Sequence, residues 1–101
     1  MDKSLEFFEY TIIKLHKYLF RTFKGRKYIR NVEFTLTPRK IEIVCVEEIK
    51  EKVKQHLINV LGFTTDNFKE LSVKDKLIQL EYYISIKELE NIYTILKIMG
   101  I

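Results

Sequence analysis

Several residue types that mark particular folds or chemistries are scarce in this 101-residue chain. The single cysteine excludes an internal disulfide framework and fits a reducing compartment, so we expect a cytoplasmic protein. The three glycines are interpreted as helix-end or loop residues, which leaves no glycine-rich phosphate loop. No apolar run approaches the roughly 18 residues that a membrane span needs, so we expect no membrane partner.

Recognisable catalytic and metal-binding patterns are also missing. Two histidines and one cysteine at no standard spacing do not supply the three or four converging ligands of a metal site. Cys45 is in phase with Ile41 and Ile43, so it is interpreted as a small core residue and not as a nucleophile. Glu33 and Glu42 project from one predicted hairpin and could face each other, which is ordinary for surface glutamates. The sequence therefore predicts no enzyme, no cofactor and no metal.

Alanine and tryptophan are absent, whereas Ile and Lys each occur fourteen times. Ile and Lys have A/T-rich codons and Ala has G/C-rich ones, so the composition indicates an A/T-rich genome. Abundant Lys and Glu with few Gln are also typical of thermophiles. These features together favour an archaeal or viral source.

What is present indicates one globular domain over residues 1–101. Hydrophobic residues make up 47% of the chain and charged residues 32%, which excludes a disordered protein. Apolar residues recur at helical spacing in three segments and alternate with polar residues in four. The predicted elements are a helix over 4–25, strands over 32–36 and 41–46, a helix over 47–61, strands over 68–73 and 77–84, and a helix over 85–100.

This order, α-β-β-α-β-β-α, predicts an α+β two-layer sandwich. We expect one four-stranded, mainly antiparallel sheet with the helices on one face. A hairpin followed by a helix occurs twice, and both units end in a glycine followed by an apolar residue, Gly62-Phe63 and Gly100-Ile101. Ser85 and Glu88 form the Ser-x-x-Glu pattern of a capping box at the start of the third helix.

Positive charge is concentrated near the N-terminal end. Residues 1–46 carry ten basic and five acidic side chains, whereas residues 47–101 carry eight and nine. On a helical wheel of the first helix, one stripe is apolar and the opposite side is basic with Glu6 as its only acid. The apolar stripe consists of Leu5, Phe8, Ile12, Leu15, Leu19 and Phe23. The helix should end at Gly25.

The basic side of this helix is a candidate site for nucleic acid or another polyanion, bound through its phosphates. A solvated helix face is the ordinary alternative, and an anionic membrane surface is a third. Like charges three and four residues apart repel one another, which favours an anionic partner. The residues predicted to bind are Lys14, Lys17, Arg21, Lys24, Arg26, Lys27 and Arg30, with Tyr10, Tyr18 and Tyr28 stacking on bases or ribose.

Apolar residues also fall outside the predicted core. The third helix is apolar over most of its circumference, which requires either a central place in the helical layer or a second copy of the chain. A two-layer fold leaves one sheet face uncovered, which favours a homodimer. The predicted interface residues are Ile95, Ile98, Val44, Val46 and Tyr83. The alternative function is a protein–protein interaction module, such as an accessory subunit, adaptor or inhibitor, without a nucleic-acid role.

Overall fold

A computed structural model describes the backbone of residues 3–24 and 27–101 and the side chains of 6–24, 27–65 and 67–101. It confirms the predicted α+β fold and the element order. The elements are α1 (Lys3–Thr22), β1 (Ile29–Leu36), β2 (Arg39–Val46), α2 (Lys50–Leu61), β3 (Phe68–Lys74), β4 (Leu77–Tyr83) and α3 (Ile86–Ile98), with single 3-10 turns at Glu47–Ile49 and Thr65–Asn67.

The four strands form one antiparallel sheet in the order β1-β2-β4-β3. Each hairpin contributes one central strand and one edge strand, so the two hairpin-helix units meet where β2 pairs with β4. In that pairing Ile43 lies opposite Leu80 and Glu42 lies opposite Glu81. Because strand side chains alternate between faces, the first pair faces the core and the second faces away from it.

The core lies between the sheet and the helices. From the strands it receives side chains such as Ile41, Ile43, Cys45, Leu80 and Tyr82, all at most 1% exposed. The predicted apolar stripe of α1 is buried at Phe8, Ile12, Leu15 and Leu19 and partly buried at Phe23, while the Leu5 side chain lies outside the described part. Burial of this kind contributes about 25 cal/mol per Å² of apolar surface, so these side chains hold the two layers together.

The first helix ends earlier than its glycine predicts. Regular helix stops at Thr22, and Lys24 takes the left-handed conformation with a φ of 57°. Left-handed backbone is uncommon for residues with a Cβ. The predicted end at Gly25 is therefore wrong for the helix itself, and Gly25 lies outside the described residues.

The other two helices end as predicted. Gly62 and Gly100 follow α2 and α3 with φ values of 77° and 75°, a conformation that glycine adopts without a steric penalty. At the start of α3, Ser85 accepts a hydrogen bond from the Glu88 backbone N–H, and the Glu88 carboxylate accepts one from the Ser85 backbone N–H. The capping box is thus confirmed.

The third helix contacts both of the other helices, which accounts for its broad apolar surface in part. Ile95 packs against the core, whereas Ile98 is 80% exposed. Val44 and Val46 are half-buried and Tyr83 is exposed on the opposite side of the molecule, the uncovered face of the sheet. The five predicted interface residues therefore do not form one surface. None of the helices in the described part of the chain has the length and apolarity that crossing a bilayer requires.

We expect Lys76→Gly to stabilise the fold. Lys76 lies in the β3–β4 turn with a φ of 61°, where a side chain costs about 1–2 kcal/mol. The entropic cost of glycine is about 0.5–1 kcal/mol, so the free energy of unfolding should rise by about 0.5–1 kcal/mol in urea titrations. Lys74→Gly is the control, because Lys74 is equally exposed but lies in the strand and should lose stability. Equal effects of the two variants would contradict this interpretation.

Candidate functional site

Three of the predicted cations lie on the exposed side of α1 or just after its end. Lys17, Arg21 and Lys24 are all exposed, and α1 packs on β1 and α3 through its other sides. Lys17 and Arg21 lie on one helical stripe about 6 Å apart along the axis, and Lys24 follows two residues after the helix ends.

The cations continue beyond the helix. Lys27 and Arg30 are exposed at the approach to β1 and on it, while Arg26 lies outside the described residues. Lys24 and Lys27 are three positions apart in the chain, so their Cα atoms are at most about 11 Å apart. The backbone positions of neighbouring cations thus lie within roughly one Debye length at 0.1 M salt. We call the five residues Lys17, Arg21, Lys24, Lys27 and Arg30 the basic surface.

Lys14 is less accessible to a ligand than the sequence predicts, and it is not counted in the basic surface. It is half-buried, its Nζ donates a hydrogen bond to the main-chain oxygen of Ile101, and it lies 4.7 Å from the centre of the Tyr10 ring. The prediction of a free phosphate-binding lysine is corrected for a physical reason: α3 packs beside α1 and brings the segment after it to this flank.

The three predicted tyrosines are not open stacking platforms. Tyr18 is 8% exposed, and its hydroxyl forms a hydrogen bond with Nε2 of His56 on α2. The prediction that Tyr18 stacks on bases or ribose is corrected, because His56 of α2 packs against its ring and hydroxyl. Tyr10 is 47% exposed, but its ring centre lies 5.6 Å from that of Tyr93, and the Lys14 ammonium group lies over the ring. Tyr28 is half-buried.

Tyr28 also has a lysine over its ring. The ammonium group of Lys27 lies 5.4 Å from the ring centre, within the range of a cation–π contact. This contact leaves Lys27 exposed and charged while it occupies one side of the aromatic ring. The tyrosine rings of this region therefore make more contacts within the protein than the sequence predicts.

Three lysines elsewhere, Lys40, Lys50 and Lys54, are neutralised by glutamates. Lys54 and Lys50 lie 2.7 and 3.0 Å from the Glu70 carboxylate, and these contacts hold the pKa of Glu70 below its usual value. Lys40 lies 2.9 Å from Glu81 and likewise lowers the pKa of that carboxyl, against the effect of its burial. Among the side chains that the structure describes, no cation of the basic surface has such a partner, and the same holds for Lys52, Lys69, Lys74, Lys76, Lys87 and Lys97.

The uncovered sheet face carries a row of carboxylates. Glu33 lies directly opposite Glu42, as the hairpin predicts, and Glu42 lies opposite Glu81. Gln79 donates hydrogen bonds to both Glu42 and Glu81, at 2.6 and 2.9 Å. No group of three metal-ligating side chains arises among the described residues. Within the row, Glu42, Gln79 and Glu81 form a hydrogen-bonded polar network.

Cys45 and His56 have structural surroundings. Cys45 is fully buried, and burial raises the pKa of its thiol to about 11, so it is protonated at neutral pH. Burial lowers the pKa of His56, whose ring is enclosed by Tyr18 and Phe23 of α1. The contact between Tyr18 and His56 joins distant parts of the chain, and no spacing rule in the sequence signals it.

Comparisons with protein families, with curated proteins and with solved structures give no significant match for this chain.

Stability should fall as the pH drops from 7.5 to 5.5. The pKa of His56 is lower in the folded state, so the unfolded chain binds the proton first and the free energy of unfolding decreases below the ordinary histidine pKa of about 6.5. Urea titrations at both pH values should show this decrease, and His56→Gln should reduce it.

His16→Gln is the matched control, since it leaves His56 in place and should keep the pH dependence. The lowered pKa values of Glu70 and Glu81 affect stability at more acidic pH than this window. The interpretation fails if His56→Gln retains the full decrease.

Proposed function

We propose that this chain is a small non-enzymatic protein that binds nucleic acid, or another polyanion, through the basic surface. One observation carries the proposal: five exposed cations are grouped on α1 and the start of β1 without a carboxylate partner in the described part of the chain. Lys40, Lys50 and Lys54 are held by glutamates, and exposed lysines that have no carboxylate partner among the described side chains, such as Lys52, Lys69 and Lys87, lie outside this run of cations. Cations without partners are free to replace the counterions of a phosphate backbone.

The geometry favours contacts with phosphates over contacts with bases. Single-stranded nucleic acids are held mainly by stacking on open aromatic rings. Tyr18 is buried, Tyr10 packs on Tyr93, and Tyr28 is half-buried under Lys27. Phosphate contacts position a protein on a duplex without reading its sequence. A duplex should therefore bind at least as well as a single strand, and with little dependence on sequence.

Fluorescence anisotropy with a labelled 20-base-pair duplex tests the proposal. Four phosphate contacts give a salt slope of about −3.6, so affinity should fall roughly a hundredfold between 50 and 200 mM salt. The triple variant Lys17→Glu, Arg21→Glu and Lys24→Glu should abolish binding at 50 mM salt, because it replaces attraction by repulsion.

The matched control is the triple variant Lys52→Glu, Lys69→Glu and Lys87→Glu, which changes the net charge equally at exposed lysines outside the basic surface. It should retain most of the affinity. Equal losses in both triple variants would show a net-charge effect and contradict a defined site. Absence of binding, or affinity independent of salt, would also dispose of the proposal.

A protein–protein role, with a second copy of the chain as partner, is the second candidate. The observation that favours it is apolar surface on the uncovered sheet face. Leu71 and Val73 are 45% and 47% exposed on edge strand β3, and Val44 on β2 and Leu77 on β4 are half-buried on the uncovered face. Exposed apolar residues gathered on one face are typical of contact surfaces. Such a dimer could also bring two basic surfaces into one assembly.

Sedimentation equilibrium checks this second candidate. We expect a dimer that persists at 500 mM salt, because apolar burial is not screened by ions. Leu71→Lys with Val73→Lys should give a monomer, whereas Ile98→Lys, at an exposed residue of the helical layer, should leave the dimer intact. A monomer of the unaltered chain at all concentrations would contradict the dimer.

A further inference from the structure

An apolar groove opens at one end of the molecule, on the helix-covered face of the sheet. Its volume is about 860 Å³, within the range of small-molecule sites. Phe7 and Phe8 of α1 form one wall, the β1–β2 turn forms the second, and the first turns of α3 form the third. The groove exists because the core-facing sides of β1 and β2 extend past the point where α1 and α3 cover them.

The walls are fixed by packing within the fold. Phe8 is buried and stacks on Phe34 with ring centres 4.4 Å apart, and Phe7 contacts Tyr93 at 4.7 Å. The backbone N–H of Ile84 donates a hydrogen bond to the Arg39 carbonyl at 3.2 Å, which ties the β1–β2 turn to the start of α3. Most of the groove is thus formed before any ligand binds, which reduces the entropic cost of binding.

Two apolar side chains at the groove are exposed to solvent. Leu36 is 45% exposed and Ile86 is 46% exposed, and they line the groove from the turn and from α3. Leu36 is in phase with the core residue Phe34 and pairs with Arg39 across the hairpin. The alternating pattern of β1 therefore continues into the part of the sheet that no helix covers. A ligand in the groove would bury both Leu36 and Ile86.

One cation faces this apolar space. Arg39 is in phase with Ile41, Ile43 and Cys45, so it belongs to the core-facing side of β2, and it lines the groove. Among the residues that the structure describes, it has no ion pair and no side-chain hydrogen bond. A guanidinium group binds a carboxylate through two parallel hydrogen bonds. Because Arg39 lies beside aromatic walls, the groove offers one ligand both a charged group and an apolar surface.

We propose that this groove binds a hydrophobic carboxylic acid, with the acid group on Arg39 and the apolar tail between Phe7, Phe8 and Tyr93. Glu90, on the α3 wall, is the one acidic residue in the lining. It repels a carboxylate and attracts an amine, so its effect on an anionic ligand is opposite to its effect on a cationic ligand. This proposal does not depend on the basic surface or on nucleic-acid binding.

Three eight-carbon probes with the same tail test the site: octanoate, octanol and octylammonium. Titration of the ¹⁵N-labelled protein followed by NMR should give the order octanoate, then octanol, then octylammonium. Amide shifts should concentrate at Leu36, Arg39, Ile86 and Tyr93. A charge-assisted hydrogen bond is worth about 1.5–3 kcal/mol, so octanoate should bind at least about tenfold more tightly than octanol.

Matched variants identify the groups responsible. Arg39→Gln should weaken octanoate by about tenfold or more while octanol is unchanged, and Glu90→Gln should tighten octanoate. Lys74→Gln, which removes an exposed cation at the far hairpin turn, is the control and should have no effect. Ile86→Gln should weaken all three probes.

Each contrary result would overturn the proposal. Shifts scattered over the surface, equal binding of octylammonium and octanoate, or an equal loss in Arg39→Gln and Lys74→Gln would exclude this recognition. The absence of any shift at millimolar octanoate would do the same. Thermal unfolding of each variant shows whether it is folded, so a loss of binding in a folded Arg39→Gln protein is informative.

Discussion

The antiparallel pairing of β2 with β4 is the contact on which the rest of the structure depends. It joins the two hairpin-helix units, and it aligns Ile41 and Ile43 with Tyr82 and Leu80 on the core face. A slip of one residue would move these side chains to the open face and bring Glu42 or Glu81 into the core. The observed register is the one that buries apolar side chains and leaves both glutamates on the side where Lys40 and Gln79 reach them.

The first helix lies outside this two-unit arrangement and completes it. Its apolar stripe covers β1, and its flanks meet the other helices through single polar contacts: Tyr18 with His56 of α2, and Lys14 with the oxygen of Ile101 after α3. These contacts fix how α1 is rotated about its axis. The same rotation exposes Lys17 and Arg21, so this part of the candidate binding surface is a consequence of how the core holds the helix.

The elements and their order could be predicted from the sequence because each depends on local patterns. Alternation defines the strands, helical spacing defines the stripes, and Gly62 and Gly100 define two helix ends. The flanks of α1 could not be assigned in this way. A helical wheel places Tyr18 and Lys14 at the edge of the polar side, but which edge is covered depends on where α2 and α3 pack.

The groove was not predicted for a related reason. Arg39 stands at the end of an alternating strand, where the sequence gives no sign of how far the helices extend over the sheet. Its core-facing position and its apolar neighbours emerge from three segments that meet in space. Likewise, the left-handed Lys24 ends α1 before Gly25, because the chain turns toward β1 sooner than its composition indicates.

The described side chains of the basic surface have no carboxylate partner, and this bears on the proposed anionic partner. A positive net charge promotes solubility wherever it lies, so solubility does not require the cations to be grouped. Lys17 and Arg21 are four residues apart, and a like-charged pair at that spacing costs an isolated helix about 0.2–0.5 kcal/mol. A glutamate at either position would turn the repulsion into attraction without disturbing the core, since both side chains face solvent. The chain uses that solution for Lys50 and Lys54, which share Glu70. Leaving Lys17 and Arg21 without such a partner costs folding free energy, and the proposed binding of an anion would offset that cost by removing the repulsion.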